Sequence, residues 1–287
     1  MNLRPALELF LVQVSEKTEE NQRIYAHYDQ NFLIDTYCGE ARAGLALIEN
    51  DLAPGLRLLE IGSGSGLLAG FLSQQGFDIV GLEPGAGPGF SHMRRMFDIV
   101  KAHLQSDFDL TRASVTELSP DKHGQFDLIF SVNVLEHIPP IAEGFRAMAS
   151  VLAPTGKMLH TCPNYSVPYE PHFAIPLVPG SPALSKAIFL KPEMEERLPG
   201  IWEDLNWISV GLVRKFARDN GLVVTFEKGA MADALRRLSR DEVFASRHGL
   251  FLQNVSAVMD KLGLLSLIEL LPASVITPMT FRMTKSQ

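Results

Sequence analysis

The chain has 287 residues, of which 46% are hydrophobic and 21% are charged, and its net charge is −7 at neutral pH. A chain of this length and composition folds as a globular protein with a sizeable core, which excludes bulk disorder. The acidic balance argues against nucleic acid as the main partner, because a protein that binds a phosphate backbone usually needs a basic face.

The two cysteines, Cys38 and Cys162, form no spaced pair and carry no metal signature. A reducing, cytoplasmic location is therefore the simplest expectation. No run reaches the roughly 18 uncharged apolar residues of a membrane span. The nearest one, residues 250–271, is interrupted by three charged side chains, so the sequence predicts no integral membrane segment.

Residues 3–52 are predicted to be mainly helical and to end at the turn signal Ala53-Pro54-Gly55. From there, apolar runs alternate with helical patterns. Strands are predicted at 56–61, 78–82, 126–132 and 157–161, and helices at 67–75, 89–103 and 141–152. Alternation of this kind is typical of an α/β protein with a parallel sheet covered by helices on both faces.

The second half of the chain has a different character. Residues 163–199 hold eight of the 18 prolines, which predicts a long ordered excursion rather than more sheet. A helix is predicted over about 209–220, a strand at 222–226, helices within 230–271 and a last strand at 275–283. These patterns divide the chain into an N-terminal helical segment (1–54), a ligand-binding core (55–162), a substrate-side segment (163–229) and a helical insertion with the final strand (230–287).

The most informative motif is a glycine-rich turn that follows the first predicted strand, Glu60-Ile61-Gly62-Ser63-Gly64-Ser65-Gly66. Glycines at a strand-to-helix turn let the main chain approach a ligand and adopt positive φ at low cost. The preceding carboxylate suits an adenosine cofactor with a positively charged, methionine-like end better than it suits a pyrophosphate.

Four motifs together resemble the class I S-adenosylmethionine-dependent methyltransferases, and most closely the small-molecule branch typified by quinone-biosynthesis methyltransferases. They occur in the family's order and spacing: the glycine loop, Ile79–Glu83, Phe126–His137 and Val151–Lys157. The resemblance implies a seven-stranded Rossmann-like sheet with helices on both faces. It also implies S-adenosylmethionine as the cofactor.

The same resemblance assigns the cofactor contacts. The loop would lie under the methionine portion, Glu83 would accept hydrogen bonds from the ribose diol, and the segment before Leu118 would cover the adenine. Relatives often have Asp-Ala where this chain has Ser114-Val115, and an alternative role for Glu60 is purely structural. The expected cofactor residues are Glu60, Gly62, Ser63, Gly64, Gly66, Glu83, Ser114, Val115 and Asn133.

Two histidines are candidate general bases for the acceptor. His137 follows the fourth strand and is the first choice, because a histidine pKa lies near the operating pH; it could equally cap a helix. His172 in the proline-rich segment is the rival base. Tyr165, Tyr169 and Phe173 could line an acceptor pocket, or could instead be aromatics of a rigid loop packed on the sheet.

Some quinone O-methyltransferases carry Glu-x-x-Glu-His after the fourth strand and bind a divalent metal there. In this chain Asn133 stands at the first glutamate, which leaves only Glu136 and His137. Two ligands make a poor dedicated site. The sequence therefore predicts no metal.

The expected function is methyl transfer from S-adenosylmethionine to a small molecule, with oxygen favoured over carbon or nitrogen as the acceptor atom. An NAD-dependent oxidoreductase is the first alternative, although Gly66 comes one residue too early for its Gly-x-Gly-x-x-Gly loop. A protein methyltransferase and a non-catalytic protein that keeps the cofactor fold are the others. The helical stripe within residues 230–271 predicts packing on the sheet or a homodimer contact.

Overall fold

The computed structural model describes residues 2–20, 30–85, 93–104, 107–240, 245 and 250–286. The chain begins with two helices, α1 (Leu3–Glu20) and α2 (Gln30–Ile48). Their buried residues recur at helical spacing, as in Leu7 and Leu11 of α1 and Leu45 and Ile48 of α2. This repeat gives each helix one apolar face, and α2 uses its face to cover the sheet.

Nine strands lie in the described part of the chain. They are β1 (Arg57–Ile61), β2 (Asp78–Leu82), β3 (Leu110–Thr111), β4 (Phe126–Val132), β5 (Leu152–Cys162), β6 (Tyr169–Glu170), β7 (Ile175–Pro176), β8 (Leu222–Phe226) and β9 (Met279–Lys285). Seven of them form one sheet in the order β3–β2–β1–β4–β5–β9–β8. The predicted seven-stranded Rossmann-like sheet is confirmed. The short pair β6–β7 lies apart from it, inside the proline-rich segment.

The sheet is mixed rather than fully parallel. Strands β1 to β5 pair in parallel, whereas β9 is antiparallel to both of its neighbours, β5 and β8. The chain leaves β8 at the carboxyl edge of the sheet and enters β9 from the same edge, so β9 must run in the opposite direction. The described residues between these two strands, 227–240, 245 and 250–278, consequently begin and end at the edge where α/β sheets bind their ligands.

The remaining helices connect the strands and cover the sheet. They are α3 (Leu67–Gln74), α4 (Met93–Lys101), α5 (Pro120–His123), α6 (Ile141–Val151), α7 (Pro182–Phe189), α8 (Pro192–Arg197), α9 (Ile201–Asp204), α10 (Val210–Asp219), α11 (Ala230–Leu238), α12 (Leu250–Lys261) and α13 (Leu265–Ile268). The helix predicted over 89–103 is observed as α4, and residues 89–92 lie outside the described part. Strand β5 begins five residues earlier than predicted.

Apolar side chains fill both faces of the sheet. Leu58 and Leu59 are neighbours in β1 and point to opposite faces, where each joins a different hydrophobic cluster. A third cluster, built around Phe173 and Trp202, gives the proline-rich segment a small core of its own. That segment is therefore a packed unit that lies beside the carboxyl edge of the sheet.

The helical insertion presents apolar side chains to solvent. Leu250, Leu262 and Leu270 are 75%, 64% and 72% exposed. The homodimer contact predicted for this insertion stays a prediction. Among the described residues, no helix combines the length and apolar character that a bilayer crossing requires.

His160, near the carboxyl end of β5, gives the fold a testable dependence on pH. Its ring is fully buried, its Nδ1 atom lies 2.7 Å from the Ser131 hydroxyl, and the rings of Phe145 and Phe281 flank it. Burial lowers the pKa of His160 from 6.5 to about 3. Folding therefore favours the neutral ring, and the corresponding stability is complete above pH 6.5 and is lost as the pH falls towards 3.

We expect the free energy of unfolding to decrease as the pH is lowered from 6.5 to 4. His160 should contribute about 1.4 kcal/mol of this decrease per pH unit. The variant His160→Asn removes the titrating group. Its free energy of unfolding should therefore change with pH less steeply than that of the wild type, by about the same 1.4 kcal/mol per pH unit. Urea unfolding at several pH values measures both slopes. Ser150→Ala on α6, which removes no titrating group, is the control and should keep the wild-type slope. Parallel curves for wild type and His160→Asn would contradict the assignment.

Candidate functional site

The glycine loop between β1 and α3 forms one wall of a cleft at the carboxyl edge of the sheet. Gly62, Gly64 and Gly66 all have positive φ, at 65°, 53° and 70°. A Cβ atom on Gly62 would lie 2.5 Å from both γ-carbons of Val134, closer than any side chain tolerates. The loop is thus a bare main-chain surface whose shape only glycine can adopt at this point.

Glu60 lies directly behind this loop. Its Oε2 accepts a hydrogen bond of 2.5 Å from the Ser63 hydroxyl. Burial, opposed by this hydrogen bond, raises the pKa of Glu60 to about 8. A cationic ligand in the cleft would favour the ionised form. The position of Glu60 is compatible with a structural role in holding the loop and with direct contact to the cofactor. The cofactor contact stays a prediction.

Glu83 follows β2 and closes the opposite side of the loop. Its two carboxylate oxygens accept hydrogen bonds from the main-chain N–H groups of Gly64 and Gly85, each at 2.9 Å. A carboxylate oxygen has two lone pairs, so each oxygen keeps one for a further donor. The carboxylate is held in place before any ligand arrives, as a ribose-binding group would require, and that role stays a prediction.

Ser114 and Val115 form another part of the cleft wall. The Ser114 hydroxyl accepts from the Thr116 N–H at 3.4 Å, and the Ser114 N–H donates to the Glu117 carboxylate at 2.7 Å. These two bonds make a capping box for a short 3-10 turn, Val115–Glu117. They hold the predicted adenine-binding segment in one conformation, and the adenine contact itself stays a prediction.

Asn133 directly follows β4 and has the left-handed conformation, with φ of 53°. Its main-chain N–H donates to the Thr161 carbonyl at 2.9 Å, and its side-chain amide donates to Glu40 Oε1 at 3.3 Å. Glu40 comes from α2 and was missed by the sequence reasoning. The sequence signal for Glu40 was weak. In the chain it lies between Cys38 and Ala41, two residues of the buried face of α2.

The two candidate bases lie side by side. His137 ends a 3-10 turn (Leu135–His137) that follows β4, and His172 lies in the loop between β6 and β7. Their Nε2 atoms are 3.2 Å apart. The Glu136 Oε1 atom lies 4.0 Å from each of the two Nε2 atoms. Glu136 is fully buried, and neither of its oxygens has a hydrogen-bond partner among the described residues.

A second buried carboxylate holds His172. The His172 Nδ1 atom lies 2.5 Å from Glu170 Oε1, and the Phe173 N–H donates to Glu170 Oε2 at 2.8 Å. The Tyr165 hydroxyl also donates to Glu170 Oε1, at 3.2 Å. Because an ionised carboxylate only accepts hydrogen bonds, His172 carries a proton on Nδ1 and turns Nε2 towards His137.

The surroundings give the two histidines different proton affinities. Burial, reinforced by the neighbouring His172, lowers the pKa of His137 to about 3. Burial also acts to lower the pKa of His172, but the hydrogen bond and charge of Glu170, with the charges of Glu136 and Glu40, outweigh it and raise this pKa above 6.5. A proton shared by the pair therefore resides on His172.

The cleft itself has a volume of about 2110 Å³, which exceeds the roughly 300–1,000 Å³ of a typical small-molecule pocket. The glycine loop, Glu83 and the two histidines lie along its polar side. Its other walls come from α1, α2 and the helices that follow β7 and β8, and they carry both apolar and charged side chains. The apolar ones include Met194, Leu198, Ile201, Met231, Leu235 and Leu252.

The predicted substrate residues divide into two groups. Tyr169 and Phe173 line the cleft, so acceptor contacts by these two side chains stay predictions. Tyr165 lies behind them, packs on Trp207 with ring centroids 5.0 Å apart, and supports Glu170. The structure thus places Tyr165 in the supporting layer, a position that its spacing along the chain did not indicate.

Comparison with known sequences identifies a methyltransferase domain over residues 25–202. The chain is 33% identical over 253 residues to an uncharacterized protein of Mycobacterium tuberculosis, which covers 86% of this chain and 85% of that protein. It is also 33% identical over 109 residues to a ubiquinone biosynthesis O-methyltransferase of Marinobacter nauticus. This second similarity covers 36% of this chain and 42% of that enzyme.

A similar fold is found in the crystal structure of an S-adenosylmethionine-dependent methyltransferase from Mesorhizobium loti. The TM-score is 0.50 at 15% sequence identity, and the similarity covers 84% of this chain and 97% of that one. At this identity the likeness concerns the arrangement of the strands and helices, and carries no information about the acceptor.

Proposed function

Because the chain belongs to the class I S-adenosylmethionine-dependent methyltransferases, we propose that it methylates an oxygen atom of a small-molecule acceptor. Family membership confirms S-adenosylmethionine as the cofactor and decides against the nicotinamide-dependent alternative. The nature of the acceptor and its reacting atom are parts of the proposal.

The cleft suits this cofactor. When bound, the cofactor supplies a methyl group that its sulfonium has already activated, so the protein mainly supplies alignment and exclusion of water. The bare main chain of Gly62 and Gly64 would accept the methionine portion, and Glu83 would hold the ribose. The carboxylates of Glu60 and Glu40 lie where they would favour a cationic ligand.

The hydrogen bond between His172 and Glu170 is the observation that carries the proposal. A hydroxyl group must lose its proton to become a good nucleophile, and a histidine held by a carboxylate is suited to receive that proton. We assign this task to the pair of His137 and His172, with the proton held on His172 by Glu170. The acceptor oxygen then gains the methyl group, and the proton later passes to solvent.

The size and lining of the cleft support a small-molecule acceptor with apolar parts. The cleft volume of about 2110 Å³ is larger than a typical small-molecule pocket, so it would hold an acceptor as well as the cofactor, and Met194, Leu198 and Met231 line the side of the cleft away from the glycine loop. The similarity to an enzyme named as a ubiquinone biosynthesis O-methyltransferase agrees with a hydroxyl acceptor.

Incubation with methyl-labelled S-adenosylmethionine and a panel of acceptors tests the proposal. The panel should contain phenols and alcohols, amines, carbon acids and unstructured peptides. We expect the label in a hydroxyl compound, as an ether that resists mild base. Label confined to amines or carbon acids would refute oxygen as the acceptor atom, and label confined to peptides would favour the protein methyltransferase. Cofactor binding without transfer to any of them would favour a non-catalytic protein.

A further inference from the structure

The proton transfer described above gives no role to the buried carboxylate of Glu136, which lies beside His137 and His172. Glu136 is fully buried beside the two histidines, and neither of its oxygens has a hydrogen-bond partner among the described residues. An uncompensated buried carboxylate is costly. Its Oε1 atom faces both Nε2 atoms, at 4.0 Å from each, so three potential ligand atoms converge on one point.

We infer that Glu136, His137 and His172 form a binding site for a divalent transition-metal ion such as zinc. The three ligand atoms make a triangle with sides of 3.2, 4.0 and 4.0 Å. The centre of such a triangle lies about 2.2 Å from each corner, which is the length of zinc–nitrogen and zinc–oxygen bonds to protein ligands. The cluster needs little rearrangement to accept an ion.

The surroundings resemble those of known metal-binding histidines. A metal-ligating histidine usually donates its other ring N–H to a carboxylate or carbonyl, which fixes the tautomer and the ring orientation. Glu170 does this for His172 Nδ1, and it is itself held by the Phe173 N–H and the Tyr165 hydroxyl. The Nε2 lone pair of His172 is therefore aimed at the centre of the cluster.

The ligand set indicates which ions the site would bind. Two imidazoles and one carboxylate suit zinc and related transition metals, whereas magnesium and calcium prefer oxygen ligands. All three residues border the cleft, so a further coordination position is open towards it. Three protein ligands with one open position are typical of catalytic rather than structural zinc sites. An ion bound there could hold an acceptor oxygen and favour its ionised form.

The third ligand distinguishes this site from the one implied by the sequence resemblance. His172 lies outside the Glu-x-x-Glu-His segment, and Asn133, at the first glutamate of that motif, is hydrogen-bonded to Glu40. The sequence predicted no metal because it offered two ligands. The fold adds a third from a residue 35 positions away. An ion bound to both Nε2 atoms would prevent these atoms from taking up the acceptor's proton. The metal site is therefore an alternative to the proton-transfer role assigned to the pair above, and methylation of an oxygen atom does not depend on it.

Zinc binding to the full chain tests the inference directly. Protein freed of metal by a chelator is dialysed against buffered Zn²⁺ or Mg²⁺, and the bound metal is measured by mass spectrometry. We expect about one zinc per chain, no comparable uptake of magnesium, and visible absorption bands when Co²⁺ replaces Zn²⁺. His172→Ala and Glu136→Gln should bind zinc at least about 100-fold more weakly, and Glu170→Gln about 10- to 100-fold more weakly.

His123→Ala, which alters a histidine outside the cleft, is the matched control and should bind zinc as the wild type does. Thermal melting and S-adenosylmethionine binding show whether each variant is folded, and His172→Gln replaces His172→Ala if the latter is not. Equal zinc binding by wild type and a folded His172 variant would overturn the inference, as would preferred binding of magnesium. If zinc does not bind but methyl transfer requires His172, this inference fails while the proposed function stands.

Discussion

Replacing His172 by glutamine is expected to lower kcat for the acceptor found in the labelled-methyl screen by about 100- to 10,000-fold, the range typical of a lost general base. Glutamine keeps a side-chain amide that can bond to Glu170 but cannot accept the proton. The Kd of S-adenosylmethionine should change little, because Glu83 and the glycine loop, which are expected to bind the cofactor, remain intact. Steady-state kinetics and calorimetry measure the two quantities separately.

Two further variants define the role of His172. His123→Gln makes the same chemical change outside the cleft and should leave kcat unchanged. Glu170→Gln keeps a side chain of the same shape and removes the charge that holds the proton on His172. We expect an intermediate loss of kcat, with KM largely unaffected, because Glu170 acts through His172. A folded His172→Gln variant with wild-type kcat would refute the assignment of the base.

The second large effect is expected at Glu83. The variant Glu83→Ala should bind S-adenosylmethionine or S-adenosylhomocysteine about 100-fold more weakly, since it would lose two hydrogen bonds from the ribose to a charged group. Calorimetry gives the Kd. The control is Glu143→Ala, which removes an exposed carboxylate on α6 and should leave the Kd unchanged.

Glu83 also accepts hydrogen bonds from Gly64 and Gly85, so loss of affinity alone would not establish contact with the ribose. A cofactor analogue that lacks one ribose hydroxyl separates the two explanations. The wild type should bind this analogue about 10-fold more weakly than the parent compound, whereas Glu83→Ala should bind both equally. If the variant still discriminates between them, the ribose contact is wrong and Glu83 serves only to hold the loop.

Local patterns along the chain were sufficient to predict most of the sheet. The strands β2, β4 and β8 lie at the predicted residues, because short apolar runs bounded by turn residues specify a buried strand through near-neighbour effects alone. The glycine loop followed from the same kind of information, since positive φ at Gly62 is a local requirement. The reversed direction of β9 could not be predicted in this way, because it depends on where the insertion leaves and re-enters the sheet.

The chemistry of the site was less accessible to sequence reasoning. His137 and His172 were each proposed as a base, but nothing in their spacing showed that their Nε2 atoms meet at 3.2 Å. Sequence patterns do not single out Glu170, which holds His172, and they do not show that the Tyr165 hydroxyl supports Glu170. Acceptor contact by Tyr165 stays a prediction. Glu40 carried no motif, and it reaches Asn133 across 93 residues of chain.

The sequence by itself determined the family and the cofactor and predicted the edge of the sheet at which the cofactor is expected to bind, because these follow from glycines and carboxylates placed next to strand ends. The tertiary structure alone decided which side chains meet in the acceptor half of the cleft. The proline-rich segment has its own core around Phe173 and Trp202, and this packing brings His172 and Glu170 to Glu136 and His137. Contacts of this kind depend on the path of a long loop, which local periodicity does not encode.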